Sequence, residues 1–330
     1  MKKILLIGET DQYGSSTIEI ANSLIDLGFE VESFNFRTIA NNYNKINSNL
    51  LIRIINFTTK ILLKLNLSKN LYYKVLGRYE MNKDLEKKIN SKYSYVLFTK
   101  NDLVNPILIK KSSLLNETIY YFFDTIKEIN IYYLHNHFRY AKRAYIISET
   151  TAQILSKTYQ KKIHYCPQGI DLKIWHPQKK TKDIDVLFVG TKFRNRVKVI
   201  DFLKKNNVNI ECYGIGWDNG TIYEHDLCSL YNRAKIILNF TRDQDSYSLR
   251  CYQVLATNSF LLSTYSNEII NKFKIGYHLD IFQNNEDLLK KIHFYIQNEQ
   301  IRKKIAKESY EFVIKKYNWN SVLKRLLIND

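Results

Sequence analysis

Cysteine and proline are scarce, at 4 and 3 of 330 residues. Cys166, Cys212, Cys228 and Cys251 form no CxxC pair and have no histidines at zinc-ligand spacing, so they read as core residues in a reducing compartment. Long apolar runs are missing too. A bilayer span needs roughly 20 uninterrupted apolar residues, and Arg53, Lys60 and Lys64 break the best candidate. The first apolar run, Ile4 to Ile7, stops at Gly8 and Glu9, too short for the core of a signal peptide. The expectation is a soluble or peripheral protein of the cytoplasm. Glycine motifs are absent as well: the first loop holds only Gly8 and Gly14, which is not GxGxxG, and no GxxxxGK[ST] occurs. That argues against a dehydrogenase and a P-loop ATPase. Finally, acidic residues vanish between Ser33 and Tyr79, where Arg37, Lys45, Arg53, Lys60, Lys64, Lys69, Lys74 and Arg78 all fall.

What is present points to two α/β domains. At 330 residues and 45% hydrophobic, the chain can fill two ordinary cores. The opening reads as a strand at Lys3–Ile7, a helix from about Thr17 to Leu27 closed by Gly28, and a strand near Val31–Phe36. Strands follow at Tyr95–Thr99, Ile119–Phe123 and Ala144–Ile147, separated by helical stretches, which favours a parallel sheet. Pro167 and Pro177 flank Gly169 in a stretch without periodicity, the natural place for a link at residues 166–182. A second βαβ series then runs through strands at Ile184–Val189, Ile210–Tyr213, Ile236–Phe240 and Phe260–Ser263. Helices are expected at Arg196–Asn206, Leu227–Arg233 and Ser248–Ala256. The end is helical, over Asn285–Gln297 and Glu299–Tyr317.

Two places in the second half suit an anion. After the strand Ile184–Val189 comes Gly190 and then Lys192, Arg194 and Arg196, cations at a strand's carboxyl end where a diphosphate would fit, although taken alone this run reads more readily as a solvated basic turn. After Ile236–Phe240 a helix begins near Ser246 or Ser248, either able to cap it, and carries Arg250 and Gln253 one turn apart on one face. Its free N–H groups and dipole favour negative charge.

Here the sequence resembles a known family. The segments "AKIILNF" (234–240), "SYSLRCYQVLATNSFLLS" (246–263) and "NNEDLLKKIHFYIQNEQIRKKIA" (284–306) resemble the CgeB-like, spore-maturation type glycosyltransferases. The similarity covers the chain from about Asp183, and "CPQGID" resembles the hinge of related transferases. The resemblance implies a GT-B architecture of two Rossmann-like lobes. Residues 1–165 would bind the acceptor and 183–310 the nucleotide-sugar donor, and residues 311–330 would form a helix returning to the first lobe. It implies donor contacts from Gly190, Lys192, Arg194, Arg196, Ser248, Arg250 and Gln253, the last standing where the family usually has an acid, while Asn258 replaces a customary glycine. It also implies no metal, because cations and a helix start would neutralise the departing diphosphate; Asp243 and Asp245 form a DxD that keeps a metal as the minor alternative.

Acceptor-side candidates sit at strand ends of the first half: Asp11 and Tyr13, Glu149, and Asp124 as general base, the last favoured because the family tends to carry an aspartate there. Each acid could equally cap a helix. His135 and His137 are read as lining a surface or a helix end, not a metal site. Within residues 33–79, Leu51, Ile54, Ile55, Ile61, Leu62 and Leu65 share a helical face opposite Arg53, Lys60 and Lys64, the pattern of an interfacial helix on an anionic membrane; a core-packed helix with a solvated basic face reads as well. The expected activity is transfer of a sugar to a glycan, lipid-linked or other hydroxyl acceptor in bacterial surface polysaccharide or glycoconjugate synthesis. Two rivals remain: a nucleotide-sugar epimerase of the same fold, and a basic nucleic-acid-binding protein suggested by the net charge of +18 and 14% aromatics. Against the latter, no basic motif interleaves with aromatics, and no nucleic acid is expected.

Overall fold

The structure is a computed structural model that describes residues 1–11, 15–46, 75–241 and 248–327, together with positions 54, 57, 58, 61 and 73. The chain divides into two compact units, Met1–Pro167 with Leu323–Asp330, and Gln168–Val322.

The first unit alternates strands and helices: β1 (Lys3–Ile7), α1 (Ser16–Asp26), β2 (Glu30–Phe34), α2 (Phe36–Ile46), α3 (Leu76–Lys88), β3 (Tyr95–Thr99), α4 (Pro106–Leu115), β4 (Glu117–Phe122), α5 (Ile126–Ile131), α6 (His135–Tyr140), β5 (Arg143–Ile146), α7 (Glu149–Tyr159) and β6 (Ile163–Tyr165). Its six described strands form one sheet in the order β2-β1-β3-β4-β5-β6, and their pairings are parallel. Parallel strands covered on both faces need apolar residues at consecutive positions, and Ile4 to Ile7 are all fully buried. Side chains start the helices: Ser15 accepts from Thr17 N–H, Asn105 from Ile107 N–H ahead of Pro106, and Ser148 from Thr151 N–H.

His137 departs from its sequence reading. It is fully buried, its Nε2 lies 2.9 Å from the Val104 carbonyl, and burial lowers its pKa to about 4. His135 is half-buried with Nδ1 2.5 Å from the Tyr159 hydroxyl. The unfolded chain takes up the His137 proton near pH 6.5 and the folded chain only near 4, so the unfolded state binds more protons in that window. Stability therefore falls as pH drops from 6.5 to 4, by about 3 kcal/mol if this group acts alone. The urea midpoint should decline across that range and decline less in His137→Asn; equal slopes would contradict the assignment.

The second unit contains β7 (Ile184–Val189), α8 (Arg194–Lys205), β8 (Ile210–Tyr213), α9 (Glu224–Arg233), β9 (Ala234–Asn239), α10 (Leu249–Ala256), β10 (Leu261–Thr264), α11 (Asn267–Lys272), β11 (Asp280–Phe282), α12 (Asn285–Gln297), α13 (Glu299–Lys316) and the start of α14 (Trp319–Leu327). Its described strands run parallel in the order β11-β10-β9-β7-β8. Alternate residues of the strands feed two cores. Leu187, Ile237 and Leu261 join Tyr252 and Leu255 on one face; Val186, Phe188, Ile236 and Leu238 join Ile200 and Ile292 on the other.

The stretch expected as a link is built into this unit from Gln168 on. Gly169 lies so close to the Trp319 ring that a Cβ would approach it to 2.5 Å, and Ile170 exchanges backbone hydrogen bonds with Tyr317 and Trp319. Leu323 onward groups with the first unit, where Arg143 Nη1 donates to the Leu326 carbonyl at 2.9 Å.

Candidate active site

In the second sheet β7 connects to β8 on one side and β9 on the other, so the chain reverses its direction of winding at β7. Open parallel sheets bind ligands outside the carboxyl ends of strands at such a point. Gly190 follows β7 there with φ +154°, a backbone conformation that suits glycine. A Cβ at this position would lie 3.1 Å from Arg250 Nη2 and 3.3 Å from Arg196 Nη1. Two guanidinium groups thus converge on one bare α-carbon, and both lie over the buried ring of Phe188, at 5.4 Å for Arg196 and 5.8 Å for Arg250.

Neutral oxygens orient both groups. Arg196, in the first turn of α8, donates to the Thr191 carbonyl at 2.9 Å and the Phe240 carbonyl at 3.4 Å. Arg250, in the first turn of α10, donates to Asn239 Oδ1 at 2.9 Å, and the fully buried Asn239 is fixed in turn by Ser263 Oγ at 2.9 Å. Ser248 caps α10 by accepting from the Arg250 N–H at 3.3 Å. Fixed cations beside a helix start suit a bound phosphate group.

Of the donor residues expected from sequence, the structure brings Gly190, Arg196, Ser248 and Arg250 together. Lys192 is exposed, with its ammonium 5.1 Å from the Trp217 ring. Arg194 is the exposed first residue of α8, and Gln253 is half-buried one turn past Arg250. Asp243 and Asp245 lie outside the described residues. Sequence reasoning missed Asn239, Phe188 and the loop Gly214–Gly220. The signal for the loop was its three glycines within "GIGWDNG" after a strand.

The carboxyl edge of the first sheet holds most of the acceptor-side candidates. Asp124 Oδ2 pairs with Lys100 at 2.6 Å while Oδ1 accepts from Thr125 N–H at 2.9 Å, so both oxygens of the expected base are engaged. Asp11 accepts from the Asn35 amide, Glu149 is exposed in the first turn of α7, and Tyr13 lies outside the described residues. A network not expected from sequence joins Glu9, Arg37 and Asp102: Arg37 Nε donates to Glu9 at 2.8 Å and Nη2 to Asp102 at 2.6 Å. Burial pushes the Asp102 carboxyl up, against the pull of Arg37.

Residues 194–328 match the sequence family described as glycosyl transferase-like. Solved structures extend the comparison to the whole length. HepE from Anabaena, solved in complex with UDP-glucose, superposes with a TM-score of 0.67 at 9% identity over 99% of this chain and 98% of its own. A glycosyltransferase from Rickettsia africae gives 0.64 at 15% identity over 100% and 99%, and sucrose-phosphate synthase from Thermosynechococcus elongatus gives 0.64 at 10% over 98% and 96%. At these identities the likeness is one of fold, and the fold is GT-B, as the sequence led us to expect. No curated protein matches the sequence.

Proposed function

We propose that this GT-B protein is a glycosyltransferase whose transferase-like domain holds a nucleoside diphosphate sugar, with the diphosphate at Gly190. The convergence of Arg196 and Arg250 on that glycine carries the reading. HepE, of the same fold, is solved with UDP and with UDP-glucose, which supports a donor of this class. In the reaction the bond from the anomeric carbon to the diphosphate oxygen breaks and a bond to the acceptor hydroxyl oxygen forms. The hydroxyl proton passes to a base, and negative charge collects on the departing diphosphate. Cations fixed in advance stabilise that charge without reorganising. The CgeB-like subfamily and a role in surface polysaccharide or glycoconjugate synthesis at the cytoplasmic face are the finer form of this proposal, resting on the "SLRCYQVLATNSFLLS" segment.

Incubation with UDP- and GDP-sugars, with and without hydroxyl acceptors, tests the reading. Release of nucleoside diphosphate with sugar joined to an acceptor supports transfer. Conversion of donor to its epimer without acceptor would place the protein among epimerases instead.

The charge supplied by Arg196, Arg250 and Lys192 makes a metal unnecessary in this proposal. Turnover should survive EDTA within about twofold, well under the tenfold that 1.4 kcal/mol represents. Loss restored by Mg²⁺ or Mn²⁺ would move the catalytic charge to Asp243 and Asp245.

A second reading concerns the acceptor. Ile54, Phe57 and Ile61 are helical and exposed, at 53%, 65% and 42%, and they are spaced by three and four in the sequence, the spacing that suits one helical face. They lie in the acid-free segment 33–79, about half of which is outside the described residues, as are Leu51, Ile55, Leu62 and Leu65. No helix among the described residues is long and apolar enough to cross a membrane. We propose that this face docks on an anionic bilayer to reach a lipid-linked acceptor, each engaged Lys or Arg contributing about 1 kcal/mol. The protein should co-sediment with phosphatidylserine vesicles at low salt, and Ile54→Ser, Phe57→Ser and Ile61→Ser together should release it while circular dichroism stays unchanged. Absence of binding to such vesicles would leave a soluble acceptor.

A further inference from the structure

The loop between β8 and α9 is folded onto the diphosphate site by contacts that a passive connection would not need. Gly214 has φ +123° and lies so close to Gly190 that a Cβ would come within 2.5 Å of the Gly190 carbonyl oxygen. The loop is closed on itself by Gly214 N–H to the Gly220 carbonyl at 2.6 Å and Gly220 N–H to the Trp217 carbonyl at 3.0 Å. It is tied to the site by Lys192 N–H to the Ile215 carbonyl at 2.9 Å. At its centre Trp217 is half-buried and donates Nε1–H to the Gly190 carbonyl at 2.8 Å.

The same indole meets two further parts of the cation set. Its ring stands edge-on to Phe188, 6.2 Å away, the ring beneath both guanidinium groups. Its face lies 5.1 Å from the Lys192 ammonium. The lysine stem is guided along its length: a Cβ on Gly216 would be 3.1 Å from Lys192 Cβ and 3.7 Å from Cδ. Gly216 therefore leaves the room in which the stem lies, and Trp217 receives the charge at its end.

We infer that Trp217 is a positioning residue for the donor: it fixes the Gly190 carbonyl and holds the Lys192 ammonium ready for the diphosphate, so that an exposed, rotamer-rich cation is set before the ligand arrives. The inference rests on the assignment of Gly190 as the diphosphate site. A lysine ordered in advance loses less freedom on binding than one ordered by the ligand, and an aromatic face attracts an ammonium even where water reaches it. The tryptophan need not touch the donor to affect its affinity.

The test is a double-mutant cycle on UDP and GDP affinity by calorimetry, with wild type, Trp217→Leu, Lys192→Met and the double variant. Trp217→Leu should weaken binding about two- to tenfold, the range expected for ordering one long side chain. The double variant should lose less than the product of the two single losses, because both changes remove the same prepared charge while the Gly190 carbonyl contact goes with the tryptophan alone. Trp217→Phe keeps a ring beneath the ammonium and loses only the N–H, so it should bind better than Trp217→Leu; it also serves if Trp217→Leu fails to fold. A purely structural tryptophan predicts a lower melting temperature with unchanged affinity, or losses that multiply in the double variant, and either result overturns the inference. If wild type binds neither nucleotide, the functional reading falls with it. Binding by wild type with independent effects sinks only the role of Trp217.

Discussion

Arg250→Ala will weaken nucleoside diphosphate binding by about 10- to 100-fold, because a hydrogen bond from a charged donor contributes about 1.5 to 3 kcal/mol. The side chain sits in the first turn of α10, is held by Asn239, and reaches the Gly190 α-carbon. Removing it also leaves Asn239 Oδ1 buried without this donor, so some loss of stability, about 1 to 3 kcal/mol, is expected alongside. Arg250→Lys separates the two effects. It restores charge without the planar fork and should recover part of the affinity. Calorimetric titration reads the result, and an alanine variant that is folded and binds as tightly as wild type would remove Arg250 from the site.

Gly190→Ala should disturb both arginines at once. A Cβ there meets Arg250 Nη2, Arg196 Nη1 and the Phe188 ring at 3.1 to 3.3 Å, so both guanidinium groups must shift. With φ at +154° the alanine is also strained, at a cost of about 1 to 3 kcal/mol in stability. Shifting two charged donors by a few tenths of an ångström predicts a fall of about tenfold in kcat/KM for sugar transfer, short of the roughly 100-fold that a 1 Å misplacement can cost. Steady-state kinetics decide, with thermal unfolding in parallel. A lowered melting temperature with normal kinetics would mean the cations do not act from where the structure places them.

Much of the fold was legible because the strands are buried on both faces. Tyr95–Thr99 and Ile184–Val189 were readable to the residue as largely apolar runs between turns, Ile210–Tyr213 as a strand of alternating burial at the sheet edge, and Asn285–Gln297 as a helix by its period. Short elements were not. β6 and β11 are three residues each and α11 six, too brief to establish a period, and the two strands are defined by their pairing with neighbours distant in the chain. His137 beside His135 looked like a polar pair, whereas packing against Tyr120 and a bond to the Val104 carbonyl make it a core residue.

The site was legible where sequence order and space coincide. Gly190, Arg196 and Arg250 follow strand ends, and parallel strands put all such ends on one edge. Asn239 and Trp217 were not legible, since their roles come from contacts 11 and 27 residues away in the chain. The network of Glu9, Arg37 and Asp102 was hidden for the same reason, its members 28 and 65 residues apart.

Titration of the purified protein with UDP, GDP and CDP, each beside its monophosphate and free nucleoside, tests the central claim most directly. One diphosphate should bind at a single site and more tightly than its monophosphate, because the second phosphate meets Arg196 and Arg250. Equal affinity for diphosphate, monophosphate and nucleoside, or no binding by any of them, would contradict a diphosphate site at Gly190.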